Sequence, residues 1–278
     1  MSGTLFVVAT PIGNLEDLSP RARHTLENVD LIAAEDTRHT GRLLSHFGVK
    51  TPLFALHDHN EDKVVSKLIN ELSAGKSIAL VSDAGTPLIS DPGYKLVANA
   101  HANSIRIVPV AGPCAITTAL SAAGLPTDRY CFEGFLPAKQ KARQDKLAAL
   151  KSETRSIVLY ESVHRIRDCL ADLVEIIGAE RNAFIGRELT KMHEQCVQAP
   201  LTDLLRQVDE GDIPSKGEFV VIITGSDEEQ GSSFEIDLLL KELMVCLPPK
   251  DAAKAAARVT GTKRNDLYER ILQLQDRK

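Results

Sequence analysis

The chain has few aromatic residues and no long apolar run. Its 278 residues include no tryptophan, four tyrosines and eight phenylalanines, so aromatic residues make up only 4% of the sequence. No apolar stretch approaches the roughly 20 residues that a membrane-spanning helix needs. The basic start and apolar centre of a secretory signal are also missing at the N-terminus. These absences predict a cytoplasmic protein without a membrane partner.

Familiar cofactor and metal motifs are equally scarce. The glycine pattern of dinucleotide-binding loops does not follow the first strand candidate, and a partial phosphate-loop match at 75–77 fails because Asn70 stands where a glycine is required. The five cysteines are scattered without a CxxC pair, which argues against a disulfide framework and a cysteine zinc site. The segment 57–61 (HDHNE) has the composition of an ordinary polar loop, so we predict no metal site.

Charge is distributed unevenly along the chain. The whole sequence has a formal net charge of −5, yet from Lys250 onward eight Lys or Arg residues outnumber four Asp or Glu residues. The C-terminal segment is therefore at +4 and the remainder at −9. A basic segment on an acidic body indicates a polyanionic partner near the C-terminus, although a solvated lysine-rich helix accounts for the same charges.

The segment 82–93 (SDAGTPLISDPG) is the most informative part of the sequence. It follows the apolar run 77–81, which is typical of a buried strand, and precedes helical spacing from Tyr94. Glycine lets a ligand approach the backbone, while proline stiffens a loop and removes a donor. Open α/β sheets bind small molecules at the carboxyl ends of their strands, so this segment predicts a binding loop.

Three further strand candidates end in turn or charged residues. The run 5–9 leads into TPIGNL, 105–110 leads into AGPCAI, and 30–34 leads into EDTR. Any one of these loops alone would be weak evidence. Four strand ends of this kind predict one shared cleft.

Strand and helix patterns alternate along the chain and predict an α/β fold in two domains. The first domain, 1–124, has the pattern of a largely parallel sheet covered by helices on both faces. The second, 125–226, repeats the alternation. The polar stretch 226–233 is typical of a flexible linker, and 234–278 predicts a small helical module. The strand candidates of the second domain lie at 130–134, 156–160, 182–186 and 219–224.

Charged residues follow three of the strand candidates. They are Glu35, Asp36 and Arg38; Glu161, His164 and Arg165; and Arg187, Glu188 and Lys191. Carboxylates beside guanidinium groups are often plain ion pairs. Their repeated position at strand ends nevertheless favours active-site roles for some of them.

Six motifs, taken in order, give the chain a resemblance to a known family. They are ATPIGNL (9–15), AEDTR (34–38), the segment 82–93, VAGPCA (110–115), YESVHR (160–165) and RELTK (187–191). Together they resemble the tetrapyrrole-methylase-like group of S-adenosylmethionine-dependent methyltransferases, and within it the bacterial enzymes that methylate a ribose 2′-hydroxyl of a decoding-centre cytidine in 16S rRNA. The family often has Ser and Pro where this chain has Cys114 and Val163.

The resemblance implies two α/β domains that enclose S-adenosylmethionine in the cleft between them, within a homodimer, and it implies no metal. It further implies that the C-terminal helices contact 16S rRNA in the small ribosomal subunit, through Lys254, Arg258, Lys263 and Arg264. The implied cofactor contacts are Pro11, Ala84, Gly85, Thr86, Ile89, Cys114 and Ala115 from the first domain, and Tyr160, Leu189 and Glu218 from the second.

Methyl transfer to a ribose hydroxyl sets the demands on the remaining residues. A sulfonium methyl group is already activated, so the protein must align the hydroxyl with it and exclude water. A nearby carboxylate or imidazole should accept the hydroxyl proton. Asp36, Glu188 and His164 are the candidates, in no secure order, while Arg38 and Arg187 would position phosphate or ribose.

Two alternatives stay open at this point. The same scaffold could methylate a porphyrin-like small molecule, a reaction with no use for a basic helical segment. The chain could also be a non-catalytic RNA-binding or assembly factor, which would bind rRNA and transfer no methyl group.

Overall fold

A computed structural model describes residues 2–57, 60–226 and 233–276, and these form ten strands and eleven α-helices. The strands are β1 (Thr4–Val8), β2 (Leu31–Ala34), β3 (Leu53–Ala55), β4 (Ile78–Val81), β5 (Arg106–Val110), β6 (Tyr130–Phe135), β7 (Ser156–Ser162), β8 (Asn182–Arg187), β9 (Gln195–Pro200) and β10 (Glu218–Ile223). The helices are α1 (Pro20–Asn28), α2 (Thr37–His46), α3 (Glu61–Ser73), α4 (Tyr94–Ala102), α5 (Ala115–Ala122), α6 (Gln140–Leu150), α7 (Ile166–Ile176), α8 (Leu201–Glu210), α9 (Ser233–Cys246), α10 (Pro249–Thr260) and α11 (Arg264–Asp276).

The first sheet is entirely parallel, in the order β3-β2-β4-β1-β5. Its central strands are almost entirely apolar, as expected where helices cover both faces, and β4 is buried at every position. The predicted parallel sheet is therefore confirmed. The sequence pattern did not predict β3, since three half-buried residues at a sheet edge carry too little periodic signal.

The second sheet is mixed, in the order β6-β7-β10-β8-β9. Strands β6 and β7 are parallel, and the remaining neighbours are antiparallel. All four predicted strands of this half are present. The edge strand β9 was missed because its sequence (QCVQAP) has only one β-branched residue and no buried position.

Helix α5 joins the two sheets. It leaves the first sheet after β5, and its buried residues Ile116, Ala119 and Leu120 pack with Phe184 and Val220 of the second sheet. Full burial of one large apolar side chain contributes about 1.5–3 kcal/mol. This shared apolar cluster therefore holds the two halves beside each other, with a cleft between their loops.

The three C-terminal helices form a core of their own. Leu240 of α9, the alanines of α10, and Leu267 and Ile271 of α11 are buried against one another. Arg270 also pairs with Asp237 at 2.5 Å, which ties α11 to α9. The predicted helical module is thus present. The predicted linker lies largely outside the described residues, and the boundaries at 124–125 and 226–234 stay predictions.

None of the helices in the described part of the chain is long and apolar enough to cross a membrane.

Candidate active site

Three loops of the first sheet are tied together at one edge. Strands β4, β1 and β5 are parallel neighbours, so the loops that follow them emerge side by side. Thr10 and Gly85 exchange two backbone hydrogen bonds of 2.9 and 3.0 Å. The Thr86 hydroxyl donates to the carbonyl of Pro113 at 3.0 Å. The cleft that the sequence predicted from these strand ends is present.

The loop after β4 has an unusual backbone. Gly85 has φ of +81°, and a Cβ atom there would lie 3.2 Å from Cγ2 of Ile12. Leu88 and Ser90 also have positive φ, at 73° and 67°. Such conformations are unfavourable for residues with side chains and persist where surrounding structure imposes them, often at ligand sites.

The second sheet brings its own residues to the cleft through strand register. Tyr160 lies opposite Val220, and Ser162 lies opposite Glu218, because β7 and β10 are antiparallel. The carboxyl end of β8 reaches the same edge, where Gly186 pairs with Val220. One edge of the sheet thus gathers the end of β7, the end of β8 and the beginning of β10.

The two edges meet directly in the segment after β8. The backbone N–H of Asn14 donates to Oγ1 of Thr190 at 3.2 Å. A Cβ atom on Gly13 would lie 2.4 Å from Cγ of Lys191, so only glycine allows this approach. Glu188 and Thr190 have positive φ of 50° and 66°. The loop after β1 and the loop after β8 therefore close one side of the cleft together.

A cavity of about 350 Å³ lies between the two halves. Pockets for cofactors and small molecules are of roughly 300–1,000 Å³, usually apolar with a few polar groups. The cavity is lined by Ile12, Ala84, Gly85, Thr86, Ile89, Ser90, Asp91, Cys114, Ala115, Phe135, Tyr160, Glu161, Ser162, Gly186, Leu189, Glu218, Phe219 and Val220.

Nine of the ten residues implied as cofactor contacts line this cavity. The exception is Pro11, which is buried, and its neighbour Ile12 lines the cavity instead. Sequence reasoning missed Phe135 and Phe219 as cavity residues, among others, whereas Glu161 was among the charged residues that it singled out at strand ends. Strand register places them there, and register cannot be read from composition alone. The role of the nine residues as cofactor contacts stays a prediction.

Aromatic rings form one wall of the cavity. Tyr160 meets Phe132 edge-on at a centroid distance of 4.9 Å, and it meets Phe135 at 5.6 Å. Burial raises the pKa of Tyr160 well above its usual range, so the hydroxyl keeps its proton at neutral pH. Tyr160 therefore contributes an apolar ring and a neutral hydroxyl to the site.

Glu188 belongs to an ion-pair network at the rim. Nζ of Lys191 lies 2.8 Å from Oε1 of Glu188 and 2.9 Å from Oε2 of Glu218. The backbone N–H of Glu218 donates to Glu188 at 2.9 Å. Burial acts to raise the pKa of Glu188, but these hydrogen bonds outweigh it and hold the pKa below its usual range. Both contacts are to Oε1, and they favour a permanent carboxylate that holds the loop after β8 to β10.

Asp36 begins helix α2 beside the cleft. Its carboxylate accepts from the backbone N–H of Arg38 at 2.8 Å and pairs with the Arg38 guanidinium at 2.8 Å. The side-chain hydrogen bond from Arg38 is the main reason that the pKa of Asp36 lies well below its usual range. The backbone N–H of Asp36 donates to Oδ1 of Asp83, which directly precedes Ala84 of the cavity. Asp36 and Arg38 thus lie next to the cavity without lining it.

His164 and Arg187 do not reach the cavity lining. His164 is exposed in the turn after β7. Arg187 is buried, and its guanidinium donates to the carbonyls of Lys216 and His193 and to Oε1 of Gln195. Two of its guanidinium nitrogens thus hold neighbouring backbone and Gln195 in place, and a role of Arg187 in positioning phosphate or ribose stays a prediction. No group of three potential metal ligands occurs within residues 2–57, 60–226 and 233–276.

The predicted RNA-contacting residues surround the turn between α10 and α11. Lys254 and Arg258 are exposed one turn apart on α10, and Lys263 and Arg264 are exposed at the start of α11. Gly261 has φ of 73° and ends α10. The four exposed cations thus lie on α10 and at the start of α11, on either side of the turn at Gly261.

Comparison with known families agrees with this architecture. The family model of tetrapyrrole (corrin/porphyrin) methylases matches residues 4–205, and that of the RsmI C-terminal HTH domain matches 230–275. The methyltransferase CobJ is similar in structure, with a TM-score of 0.60 and 16% identity over 83% of this chain and 98% of that one. Uroporphyrin-III C-methyltransferase from Thermus thermophilus, solved with S-adenosylhomocysteine, has a TM-score of 0.55 and 15% identity over 80% and 97%. The fold is that of a tetrapyrrole-methylase-type methyltransferase.

Closer relatives cover the whole chain. Ribosomal RNA small subunit methyltransferase I of Xylella fastidiosa (strain Temecula1) is 53% identical over 96% of this chain and 98% of its own length. The protein of the same name from Escherichia coli O157:H7 is 52% identical over 98% and 96%. The chain belongs to the tetrapyrrole methylase family and, within it, to the ribosomal RNA small subunit methyltransferase I family.

Proposed function

We propose that this enzyme transfers a methyl group from S-adenosylmethionine to the ribose 2′-hydroxyl of a decoding-centre cytidine in 16S rRNA. The observation that carries the proposal is the cavity between the two sheets. It gathers nine residues implied as cofactor contacts, eight of them from four separate motifs and Glu218 from the start of β10. The full-length likeness to ribosomal RNA small subunit methyltransferase I supports the substrate class.

The cavity suits the proposed cofactor. Its volume of about 350 Å³ and mostly apolar wall fit a nucleoside-sized ligand. Gly85 brings backbone to the cavity where a side chain would press on Ile12, and Thr86 is held by its bond to Pro113. When bound, S-adenosylmethionine supplies a methyl group that its sulfonium charge already activates.

The protein's own contribution is to orient the ribose hydroxyl and to accept its proton. Asp36 is the best placed of the three candidate bases, because one hydrogen bond joins it to Asp83 at the entrance of the cavity loop. Glu188 is held by Lys191 and by the N–H of Glu218, so we assign it a positioning role. Arg38 lies beside Asp36 and would bind a phosphate next to the target ribose.

The helical module supplies the second contact with the substrate. Its four exposed cations would bind phosphates, which position a nucleic acid without reading its sequence. A porphyrin-like substrate would leave this module without a role.

Action in the cytoplasm, where ribosomal subunits are found, and assembly as a homodimer are further parts of the proposal.

Incubation with labelled S-adenosylmethionine and undermethylated small ribosomal subunits tests the proposal. We expect one label, mapped to a cytidine ribose. A variant carrying Lys254→Gln, Arg258→Gln, Lys263→Gln and Arg264→Gln should bind S-adenosylmethionine normally and bind subunits more weakly, with a shallower salt dependence. Absence of label in the subunits, together with label in a tetrapyrrole acceptor, would contradict it.

A further inference from the structure

Phe135 is an exposed aromatic ring at the mouth of the cavity. The ring lines the cavity, yet Phe135 is 56% exposed. Apolar rings of this size usually bury most of their surface, and the chain has only eight phenylalanines. Tyr160 covers one side edge-on, at a centroid distance of 5.6 Å and an interplanar angle of 61°. A large part of the Phe135 ring is therefore open for another planar group.

The backbone around Phe135 is shaped to present this ring at the cleft. A bulge interrupts the pairing of β6 with β7 between Phe132 and Gly134, and Gly134 has φ of 64°. A Cβ atom on Gly134 would lie 3.4 Å from Oγ of Ser90, which belongs to the loop after β4. The bulge thus brings the end of β6 against the first half of the molecule.

Hydrogen bonds from the partly buried Arg165 hold the segment after Phe135. The Arg165 guanidinium donates to the carbonyls of Leu136 at 2.5 Å and Pro137 at 3.2 Å. Arg165 also pairs at 3.4 Å with Glu161, whose side chain is completely buried at the cavity wall. Because both carbonyls belong to the two residues that directly follow Phe135, Arg165 limits how far Phe135 can move.

An exposed cation, Lys139, follows the Phe135 ring in sequence. Lys139 is exposed just before α6 and pairs with no carboxylate in the described part of the chain. An open aromatic face followed by a free ammonium group is the combination that binds single-stranded nucleic acid, since the ring stacks on a base and the cation meets a phosphate.

We propose that Phe135 is the stacking platform for the nucleobase of the target nucleotide, with Lys139 contacting the adjoining phosphate. The inference rests on the proposed function and deepens it. An enzyme that acts on one ribose within folded RNA must draw that nucleotide out of its stack, and a stacking partner at the cavity mouth replaces the lost contacts. The other base available, the adenine of the cofactor, would lie inside the cavity, whereas more than half of Phe135 faces outward.

Steady-state methyl transfer to undermethylated small subunits tests the proposal. Phe135→Ala should raise the KM for subunits on the order of tenfold, the size of a lost base–aromatic stack, and leave the affinity for S-adenosylmethionine within about twofold. Phe135→Tyr should restore the KM, because a tyrosine ring also stacks. Tyr130→Ala is the matched control: Tyr130 lies at the other end of β6 and is 42% exposed, outside the cavity.

Two outcomes would overturn the assignment. Phe135→Ala with an unchanged KM for subunits would show that no base stacks there. A loss of cofactor affinity, measured by calorimetry, would place the ring in the cofactor site instead. If the wild-type chain itself methylates no subunits, the proposed function fails. Fluorescence anisotropy with a fluorescein-labelled oligocytidylate then tests the stacking separately. Wild type and Phe135→Tyr should bind the oligonucleotide more tightly than Phe135→Ala, and equal binding by all three would refute the stacking.

Discussion

The two halves of the cleft are built in different ways. The parallel first sheet contributes backbone: the Thr10–Gly85 bridge, the positive φ of Gly85 and the bond from Thr86 to Pro113. The mixed second sheet contributes side chains held by charge, as in Lys191 between two glutamates. The first half should therefore be sensitive to backbone changes, and the second half to changes of charge.

Gly85→Val should have the largest effect. A β-branched residue at φ of +81° is strongly disfavoured, and its methyl groups would press on Ile12. We expect the affinity for S-adenosylmethionine to fall on the order of 100-fold. Calorimetric titration measures this affinity. Gly211→Val is the matched control, since Gly211 has φ of +87° with no neighbour within 4 Å, and it should lower the Tm while cofactor affinity is kept.

Asp36→Asn should have the next largest effect, because the substitution keeps the shape of the side chain and removes its charge. General-base catalysis typically contributes 10²–10⁴-fold, so kcat should fall by about 100-fold or more while cofactor affinity is unchanged. Single-turnover methyl transfer gives the chemical step. A variant with wild-type turnover would remove Asp36 from the mechanism.

Lys191→Met probes the charge network of the second half. Without the ammonium group, Glu188 and Glu218 repel each other and the loop after β8 loses its clasp. We expect about a tenfold rise in the KM for S-adenosylmethionine, corresponding to one lost charge-assisted contact. Lys191→Arg should reverse part of this rise in KM, because arginine keeps the positive charge. Lys141→Met, which breaks the exposed pair with Asp145 on α6, should change little.

The pH dependence of kcat should show the smallest change. A general base acts when deprotonated, and the lowered pKa of Asp36 keeps its carboxylate charged far below neutrality. Methyl transfer should therefore stay nearly constant as the pH falls from 8 to 6. A rate that falls steeply between pH 8 and 6 would contradict Asp36 as the base.

The different construction of the two halves also explains what the sequence could predict. Glycine and proline mark the loops of the first half directly, so the segment 82–93 and its partners were recognisable as one cleft. The second half depends on which strands pair and in what register. The exposed ring of Phe135, the burial of Arg187 and the edge strand β9 all follow from that pairing. The motif resemblance located Tyr160, Leu189 and Glu218, which periodicity alone would not have done.

Calorimetric titration of the purified chain with S-adenosylmethionine tests the central claim most directly. We expect heat from one site per chain, with an affinity that Gly85→Val lowers on the order of 100-fold and Gly211→Val preserves. Binding that survives Gly85→Val unchanged, or no binding by the wild-type chain at all, would contradict a cofactor site shaped by the backbone of the loop after β4.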